Sequence, residues 1–389
     1  MTIGIDCRLI RQTGVGRYIN NLIENLLEID KKNNYVVFVR KEDFDQVKFK
    51  IKNLKLKIIP IDISWHSFRE QTQFPKILES QKLDLVHFPY FSVPILYKGP
   101  YVITIHDLII HHFPTGKAST LPGHLYILKV LVYKYVIKKA AQKARKVISV
   151  SNSTKEEAID HLNISSDKIR VIYEGADTEN RNHKSSPQMR DPDWKLPAGQ
   201  TPNKIKNLKL KNKNYFLYVG NAYPHKNLES LIKAFSEFRK YFPKAELVLS
   251  GREDFFYKRL REYAKKMKTD ENVKFLGFVS DEDLNLLYKK TVALVCPSFM
   301  EGFGLPALEA MTNKCLVLAS NIPAFHEVLK DNALYFDPYS ISDISEKMRT
   351  AYLGKFDKEI LERGFKRSKE FSWRKMSEET LKIYEESIG

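Results

Sequence analysis

Val292-Ala-Leu-Val-Cys-Pro-Ser-Phe-Met-Glu301-Gly-Phe-Gly-Leu-Pro-Ala-Leu-Glu309 passes from an apolar run to a glycine turn and then to a helical pattern. The run Val292–Cys296 predicts a buried strand. Pro306 suits the first turn of the following helix, where a missing N–H does no harm. Glu301 then sits on the loop and Glu309 about one turn inside the helix, with free backbone N–H groups between them. Such a place can hold a polyhydroxylated, phosphate-bearing ligand. Carboxylates accept from hydroxyls, and helix-terminal N–H groups face phosphates. Pairing of a carboxylate with the helix dipole explains Glu309 alone, and leaves Glu301, Gly302 and Gly304 without a reason.

Outward from this stretch the same alternation recurs. In the first half, short β-branched or aromatic runs stand at Ile3–Cys7, Tyr35–Val39, Leu56–Ile61, Leu83–Phe88, Tyr101–Ile105, Lys146–Val150 and Ile169–Tyr173. Between several of them lie helical stripes, the clearest being Val15, Tyr18, Ile19, Leu22, Ile23, Leu26 and Leu27. A second series runs through Tyr215–Val219, Ala245–Ser250, Val273–Leu276, Val292–Cys296, Leu316–Ala319 and Ala333–Phe336, with a stripe at Leu228, Leu231, Ile232, Phe235 and Phe238. Two helix-like segments, Asp357–Glu370 and Trp373–Glu386, follow. Continuous apolar strands alternating with amphipathic helices imply parallel sheets covered on both faces. The expected division is an N-terminal domain over residues 1–175, a polar linker or insertion over 176–214 rich in Lys, Asn, Ser and Pro, and a C-terminal domain over 215–389. The fold class is α/β: two doubly wound, Rossmann-like domains facing a cleft at the carboxyl ends of their strands, with the last helix returning to the first domain.

The chain has 389 residues, 43% of them apolar, enough for real cores in two domains, and a net charge of +17. That field suits anionic partners such as nucleotide phosphates, anionic lipid or nucleic acid, although a solvated Lys-rich surface carries the same charge. Cys7, Cys296 and Cys315 are scattered, each in or beside an apolar stretch, and form no metal-spaced cluster. The opening Met-Thr-Ile-Gly-Ile-Asp-Cys-Arg lacks the pattern of a signal peptide, and no run approaches the roughly 20 apolar residues of a membrane span. A cytoplasmic location, peripheral on the inner face of the membrane, is therefore expected.

Two further turns point toward the same cleft. Arg11-Gln-Thr-Gly14-Val-Gly16-Arg17 follows the first strand and opens a helix, so its backbone can approach an anion closely. It lacks the third glycine of a dinucleotide fingerprint and the lysine of a Walker loop, and a tight strand–helix turn accounts for it equally well. Gly220-Asn221-Ala-Tyr-Pro-His-Lys226-Asn places a cation near a helix start, which is unfavourable unless something negative lies opposite. A diphosphate would supply that charge, and the neighbouring glycine and strand-end location favour this over a solvated surface lysine.

Together these motifs resemble the retaining glycosyltransferases of the GT-B fold, family 4, whose hallmark is Glu, seven residues and Glu, usually worded Glu-Gly-Phe-Gly-Leu-Pro-x-Leu-Glu. The likeness extends over nearly the whole chain, through Gly14 and Gly16, His106 in Val102-Ile-Thr-Ile-His-Asp-Leu108, and Ser149-Val-Ser-Asn-Ser-Thr154. The resemblance implies that Glu309 binds the ribose of a nucleotide donor and Glu301 its sugar hydroxyls. Backbone N–H groups around Gly302, Phe303, Gly304 and Leu305 would meet the sugar and diphosphate. Lys226 would neutralise the leaving diphosphate, with Gly220 and Asn221 beside it. His106 would approach the transferred sugar, and Gly277-Phe-Val279 would line the base. Catalytic roles thus fall on His106, Lys226 and Glu301. Many members carry Arg where this chain has Asn221, so Lys226 has to do more, or Arg17 or Arg252 compensates. The Gly-Asn…Pro-His-Lys-Asn wording looks like that of bacterial mannosyltransferases building surface polysaccharides.

The resemblance further implies a nucleotide diphosphate sugar as co-substrate, GDP-mannose favoured and a UDP-sugar as the other option, with no cofactor. The acceptor would be a saccharide or a polyprenyl-linked saccharide. The pairs Asp191/Asp193 and Asp281/Asp283 read as linker and helix-start acids, so no metal is assigned, and His111-His112 reads as loop surface. Residues Leu121–Lys146, with Lys129, Lys134, Lys138, Lys139, Lys143 and Lys146 among Leu, Ile and Tyr, suit either a solvated helix face or an anionic membrane. A GT-B sugar synthase or phosphorylase is the competing enzyme. A basic nucleic-acid binder is the competing non-enzyme, though no nucleic-acid motif accompanies the charge, and nucleic acid is not expected as a partner.

Overall fold

The computed structural model describes residues 1–45, 47, 56–113, 123–176 and 214–388. Most of the polar linker expected over 176–214, with Asp191 and Asp193, lies outside the described residues.

Two parallel sheets organise the chain. The first contains β1 (Thr2–Asp6), β2 (Asn34–Arg40), β3 (Leu56–Ile61), β4 (Leu85–Phe88), β5 (Tyr101–Ile105), β6 (Lys146–Ser149) and β7 (Ile169–Val171), in the order β3-β2-β1-β4-β5-β6-β7. The second contains β8 (Tyr215–Val219), β9 (Glu246–Ser250), β10 (Val273–Gly277), β11 (Ala293–Cys296), β12 (Val317–Ser320) and β13 (Leu334–Phe336), in the order β10-β9-β8-β11-β12-β13. Both are doubly wound sheets of the Rossmann type, in which the order reverses beside the first strand. Ile3 of β1 pairs in register with Tyr35 on one side and Leu85 on the other, and Leu294 of β11 lies between Leu217 and Val317.

The inner strands β4, β5, β11 and β12 are buried along their whole length. Helices on both faces exclude water from them, which is why they read as unbroken apolar runs. The helix Gly14–Ile29 buries Tyr18, Ile19, Leu22, Ile23 and Leu26, the stripe visible in the sequence. Side-chain caps start several helices: Ser151 accepts from the Thr154 amide (3.0 Å), and Ser280 from the Asp283 amide (3.1 Å).

The C-terminal helix Trp373–Ile388 belongs spatially to the first domain. Trp373, Met376, Ile383 and Tyr384 share a core with Ile3, Tyr18 and Leu22. Its Tyr384 hydroxyl lies 2.6 Å from Nδ1 of buried His87, whose Nε2 meets the Thr104 hydroxyl at 2.8 Å. Burial pushes the His87 imidazole down to about 3, so it stays neutral and serves as a relay of hydrogen bonds between helix and sheet. Where this crossing passes the end of the first domain, a Cβ on Gly175 would stand 2.2 Å from the Trp373 nitrogen. Only glycine lets the two crossing strands of backbone lie that close.

Candidate active site

In each sheet the two strands on either side of the order reversal send their loops apart, leaving a crevice at their carboxyl ends. In the second domain these strands are β8 and β11. The loop after β8 carries Gly220 to Lys226, and the loop after β11 carries Ser298 to Gly304. The topology therefore brings together two motifs 75 positions apart in the chain.

Lys226 Nζ lies 2.7 Å from Glu301 Oε1, which also accepts from the Ser298 hydroxyl at 2.6 Å. Both side chains are largely buried, at 17% and 14% exposure. Burial alone would raise the Glu301 carboxyl. The Lys226 charge, the hydrogen bonds from Lys226 and Ser298, and the charge of His225 outweigh burial and hold the carboxyl below its ordinary value. The turn beneath is rigid. Asn227, left-handed at φ 59°, donates from Nδ2 to the carbonyls of Pro297 (3.0 Å) and Pro338 (2.8 Å), and the Phe299 amide donates to the His225 carbonyl (2.8 Å). A cation on a fixed turn at the end of a central strand can hold a diphosphate, its backbone anchored while the side chain swings from Glu301.

Glu309 stands on the fifth residue of the helix Leu305–Thr312, capped by Gly304 at φ 92°. One carboxylate oxygen accepts from the Tyr288 hydroxyl (3.1 Å) and the other pairs with the guanidinium of Arg17 from the first domain. Arg17 also reaches Asp281 at 3.1 Å. The cation weighed above as a substitute for the missing arginine at Asn221 is thus engaged by two carboxylates across the cleft. Asp281 and Asp283 begin the helix Asp281–Lys290, a helix-start placement that also fits the dipole.

At Gly302 the two domains approach closely. A Cβ there would fall 1.7 Å from the His106 carbonyl oxygen, and the Gly302 carbonyl accepts from the Ser151 hydroxyl at 2.6 Å. Glu327 of the second domain reinforces the joint by accepting from the amides of Asn152 (2.6 Å) and Ser153 (3.0 Å), which open a helix of the first. Phe303 is buried, its ring against Tyr173 and Phe371. Its side chain fills the joint, so only its backbone remains for a ligand.

His106 follows β5 and is 9% exposed. Its Nδ1 lies 2.9 Å from Glu174 and its Nε2 3.0 Å from the Pro89 carbonyl. Both nitrogens are therefore held by the protein, and contact with a sugar through either requires one of these bonds to open. Gly16 packs against the Ile10 carbonyl, where a Cβ would come within 2.5 Å, whereas a Cβ on Gly14 would meet nothing within 4 Å. The two glycines differ in purpose: Gly16 lets the turn close, and Gly14 faces open space that a ligand can enter. Gly220 adopts φ 148°, and its carbonyl accepts from the Tyr257 hydroxyl (2.8 Å); the Asn221 carbonyl accepts from that of Tyr218 (2.6 Å). Val279 is buried, so the turn after β10 offers a base its backbone and the half-exposed Phe278 ring.

Sequence reasoning passed over Ser298, Asp107, Tyr288 and Glu174. Asp107 stands beside Gly302, 3.3 Å from where its Cβ would be. Burial raises the Asp107 carboxyl, an effect that the Ile109 amide and the charges of His106 and Lys226 reduce and Glu301 adds to. Its position directly after His106 was the available signal. His111 and His112, read as an isolated loop pair, instead occupy the short helix Ile109–His112 and meet His161 and Glu157 of a neighbouring helix.

Two facing Rossmann-like domains, with a carboxylate pair and a lysine at the crevice of the second, define the architecture of the GT-B class. The family pattern Glycosyl transferases group 1 matches residues 200–367, and that of Glycosyltransferase Family 4 matches residues 12–180. The chain belongs to this glycosyltransferase family. It is 30% identical over 275 residues to the O-antigen chain mannosyltransferase RfbU of Salmonella typhimurium, covering 70% of this chain and 66% of that one. It is 27% identical over 390 residues to O-antigen chain mannosyltransferase B of Escherichia coli, covering 96% of each. Among solved structures, Anabaena HepE in complex with UDP and glucose superposes with a TM-score of 0.73 at 17% identity, over 99% of this chain and 100% of that one. That likeness concerns the fold.

Proposed function

We propose that this glycosyltransferase moves mannose, from GDP-mannose, to a saccharide carried on a polyprenyl lipid during surface polysaccharide synthesis, with retained configuration and without a divalent metal. The observation that carries the reading is Lys226, fixed 2.7 Å from Glu301 at the strand-order reversal of the second sheet. Glu309 grips the ribose hydroxyls, taking them in exchange for Arg17, and Lys226 turns from Glu301 toward the diphosphate as negative charge develops on it. The transition state is oxocarbenium-like, and catalysis consists of stabilising the departing diphosphate and orienting both sugars. Neither glutamate acts as a nucleophile: each is engaged by a cation and a hydroxyl donor, an arrangement suited to holding hydroxyls. The two O-antigen mannosyltransferases support mannose as the sugar and a surface polysaccharide as the product.

The acceptor side supports a membrane-borne acceptor. In the helix Gly123–Lys143, Tyr126, Val130, Ile137 and Ala140 are buried, whereas Ile127, Leu128, Leu131, Val132 and Tyr135 are exposed. At about 100° per residue the two groups lie on opposite sides of the helix. The outer stripe is accompanied by exposed Lys129, Lys138 and Lys143, a combination that suits the surface of an anionic bilayer. Among the described residues, no helix is long and apolar enough to cross a membrane.

A thermal-shift panel of GDP-, UDP- and ADP-sugars tests the donor, because a ligand that binds the folded state raises its melting temperature. GDP-mannose is expected to give the largest shift; a shift with UDP-sugars alone refutes mannose transfer from GDP. NMR of the product reads the anomeric configuration, and an inverted product, or dependence of turnover on added Mg2+ or Mn2+, refutes the mechanism. Flotation with anionic and neutral vesicles tests the outer stripe, and failure to float with either refutes the membrane contact.

A further inference from the structure

Outside the residues assigned to the donor and to transfer, three metal-ligating side chains converge. His112 ends the short helix after β5, while Glu157 and His161 occupy positions i and i+4 on the helix Asn152–Leu162 after β6, so the latter two share one helix face. His161 Nε2 lies 3.1 Å from His112 Nε2 and 3.2 Å from Glu157 Oε2, and His112 Nε2 contacts the same Glu157 oxygen. We infer that His112, Glu157 and His161 form a binding site for a zinc-type divalent ion that clips the segment following His106 and Asp107 to the neighbouring helix.

Hydrogen bonding alone does not satisfy this triangle. If both imidazoles carry a proton on Nε2 and donate to Glu157, nothing lies between the two nitrogens and their N–H dipoles oppose each other. If one imidazole donates to the other, neither Nε2 keeps a proton for the carboxylate. No protonation state makes all three contacts hydrogen bonds, because each proton serves only one of them. A cation at the centre satisfies all three lone pairs together. Zinc–nitrogen bonds of about 2.0–2.1 Å in a tetrahedron set neighbouring ligand atoms about 3.3 Å apart. Two of the three separations, 3.1 and 3.2 Å, approach this value, and the closer His112–Glu157 pair opens to admit the ion.

The donor set also selects the metal. Two imidazoles and one carboxylate suit zinc, cobalt, nickel or copper and disfavour magnesium and calcium, which require more oxygen ligands. The three side chains are 27–37% exposed, leaving a fourth position for water. The rings are held in place: His111 stacks on His161 (centroids 5.1 Å, 29° between planes), and His112 meets His161 edge-on (4.9 Å, 79°). The cluster uses none of the residues assigned to the donor or to transfer, so the ion is a brace on the acceptor side and takes no part in the chemistry proposed above.

The test uses the full-length protein, purified without a histidine tag and dialysed against chelator. Titration with Co2+ is expected to produce the intense visible absorption of a tetrahedral ion at one equivalent per chain. Zn2+ is expected to displace that absorption and to raise the melting temperature, and Mg2+ to do neither. The variants His161→Asn and Glu157→Gln, confirmed as folded by circular dichroism, should lose at least tenfold in Co2+ affinity. Two results each overturn the inference: no cobalt absorption at 100 μM metal, on the order of a weak but specific site, or unchanged cobalt binding in the double variant. Since donor-induced thermal shifts are read separately on the metal-free protein, failure of this site and failure of the proposed function are distinguishable.

Discussion

Gly302→Ala tests whether the narrow joint between the domains serves catalysis. The added Cβ falls 1.7 Å from the His106 carbonyl oxygen and 2.8 Å from its carbon, both backbone atoms that cannot rotate away. An ordinary carbon–oxygen contact is about 3.3 Å, so the two domains must separate by roughly 1.6 Å at this point. That displacement carries the Ser151 hydroxyl, now 2.6 Å from the Gly302 carbonyl, beyond hydrogen-bonding range. The lost bond costs about 1 kcal/mol, a modest effect on stability. The catalytic effect is larger, because the donor is proposed to sit on the second domain and the acceptor on the first, and a misplacement of about 1 Å costs on the order of 100-fold in rate. The expected result is a fall in kcat of roughly that size, with the donor Kd changed less than threefold, since Glu309 and Lys226 are untouched. Initial-rate kinetics beside donor titration by calorimetry separates the two quantities. A variant that folds and keeps its full kcat refutes a role for the close approach. Ser151→Ala, which removes the bond without the clash, should fall between wild type and Gly302→Ala.

Four other outcomes follow from the same geometry. Lys226→Met removes the cation and leaves Glu301 with only Ser298; turnover should drop at least 100-fold. The unfolding free energy should fall by about 2 kcal/mol, below the usual 3–5 for a broken buried pair because this one is partly exposed; denaturant melts and steady-state rates check both. Glu309→Ala removes the proposed ribose acceptor and should weaken donor binding about 10- to 100-fold, as expected for hydrogen bonds to a charged group, with calorimetry as the measurement. Because the folded-state Glu301 carboxyl is held below its unfolded value, its stabilising contribution is complete above the ordinary value of 4.5 and is lost as pH falls through the lowered one. The stability gap between wild type and Glu301→Gln, measured by urea melts, should therefore narrow from pH 6 toward pH 3. Gly175→Ala would press a methyl against the Trp373 nitrogen at 2.2 Å; overpacking of that kind costs about 2 kcal/mol, readable as a lower midpoint in urea.

Legibility in the sequence differed sharply between elements and contacts. Strands such as Tyr101–Ile105 and Tyr215–Val219 were read with the bounds the structure has. Burial on both faces imposes an unbroken apolar run, and such a run is a local signal. The helix Gly14–Ile29 was equally plain, because one stripe of it is buried. The helix Gly123–Lys143 was less plain: apolar residues lie on both its packed and its outer sides, so composition left a solvated face and a membrane face equally open. Glycines were ambiguous for a different reason. Gly14, Gly16, Gly175 and Gly302 look alike in the chain, and only the atoms opposite each absent Cβ distinguish open space from a close backbone crossing.

By itself the sequence determined where the strands and the longer helices lie, that they alternate in two series, and that a glycine turn flanked by Glu301 and Glu309 opens a helix. Propensity, periodicity and turn chemistry act over a few residues, so neighbouring residues suffice to read them. Tertiary structure alone decided that Lys226 meets Glu301, that Arg17 crosses the cleft to Glu309, that Tyr384 locks onto His87, and that His112 meets His161. Those partners stand 49 to 297 positions apart. What brings them together is the order of strands in each sheet and the docking of one domain on the other, both set by the packing of the whole chain.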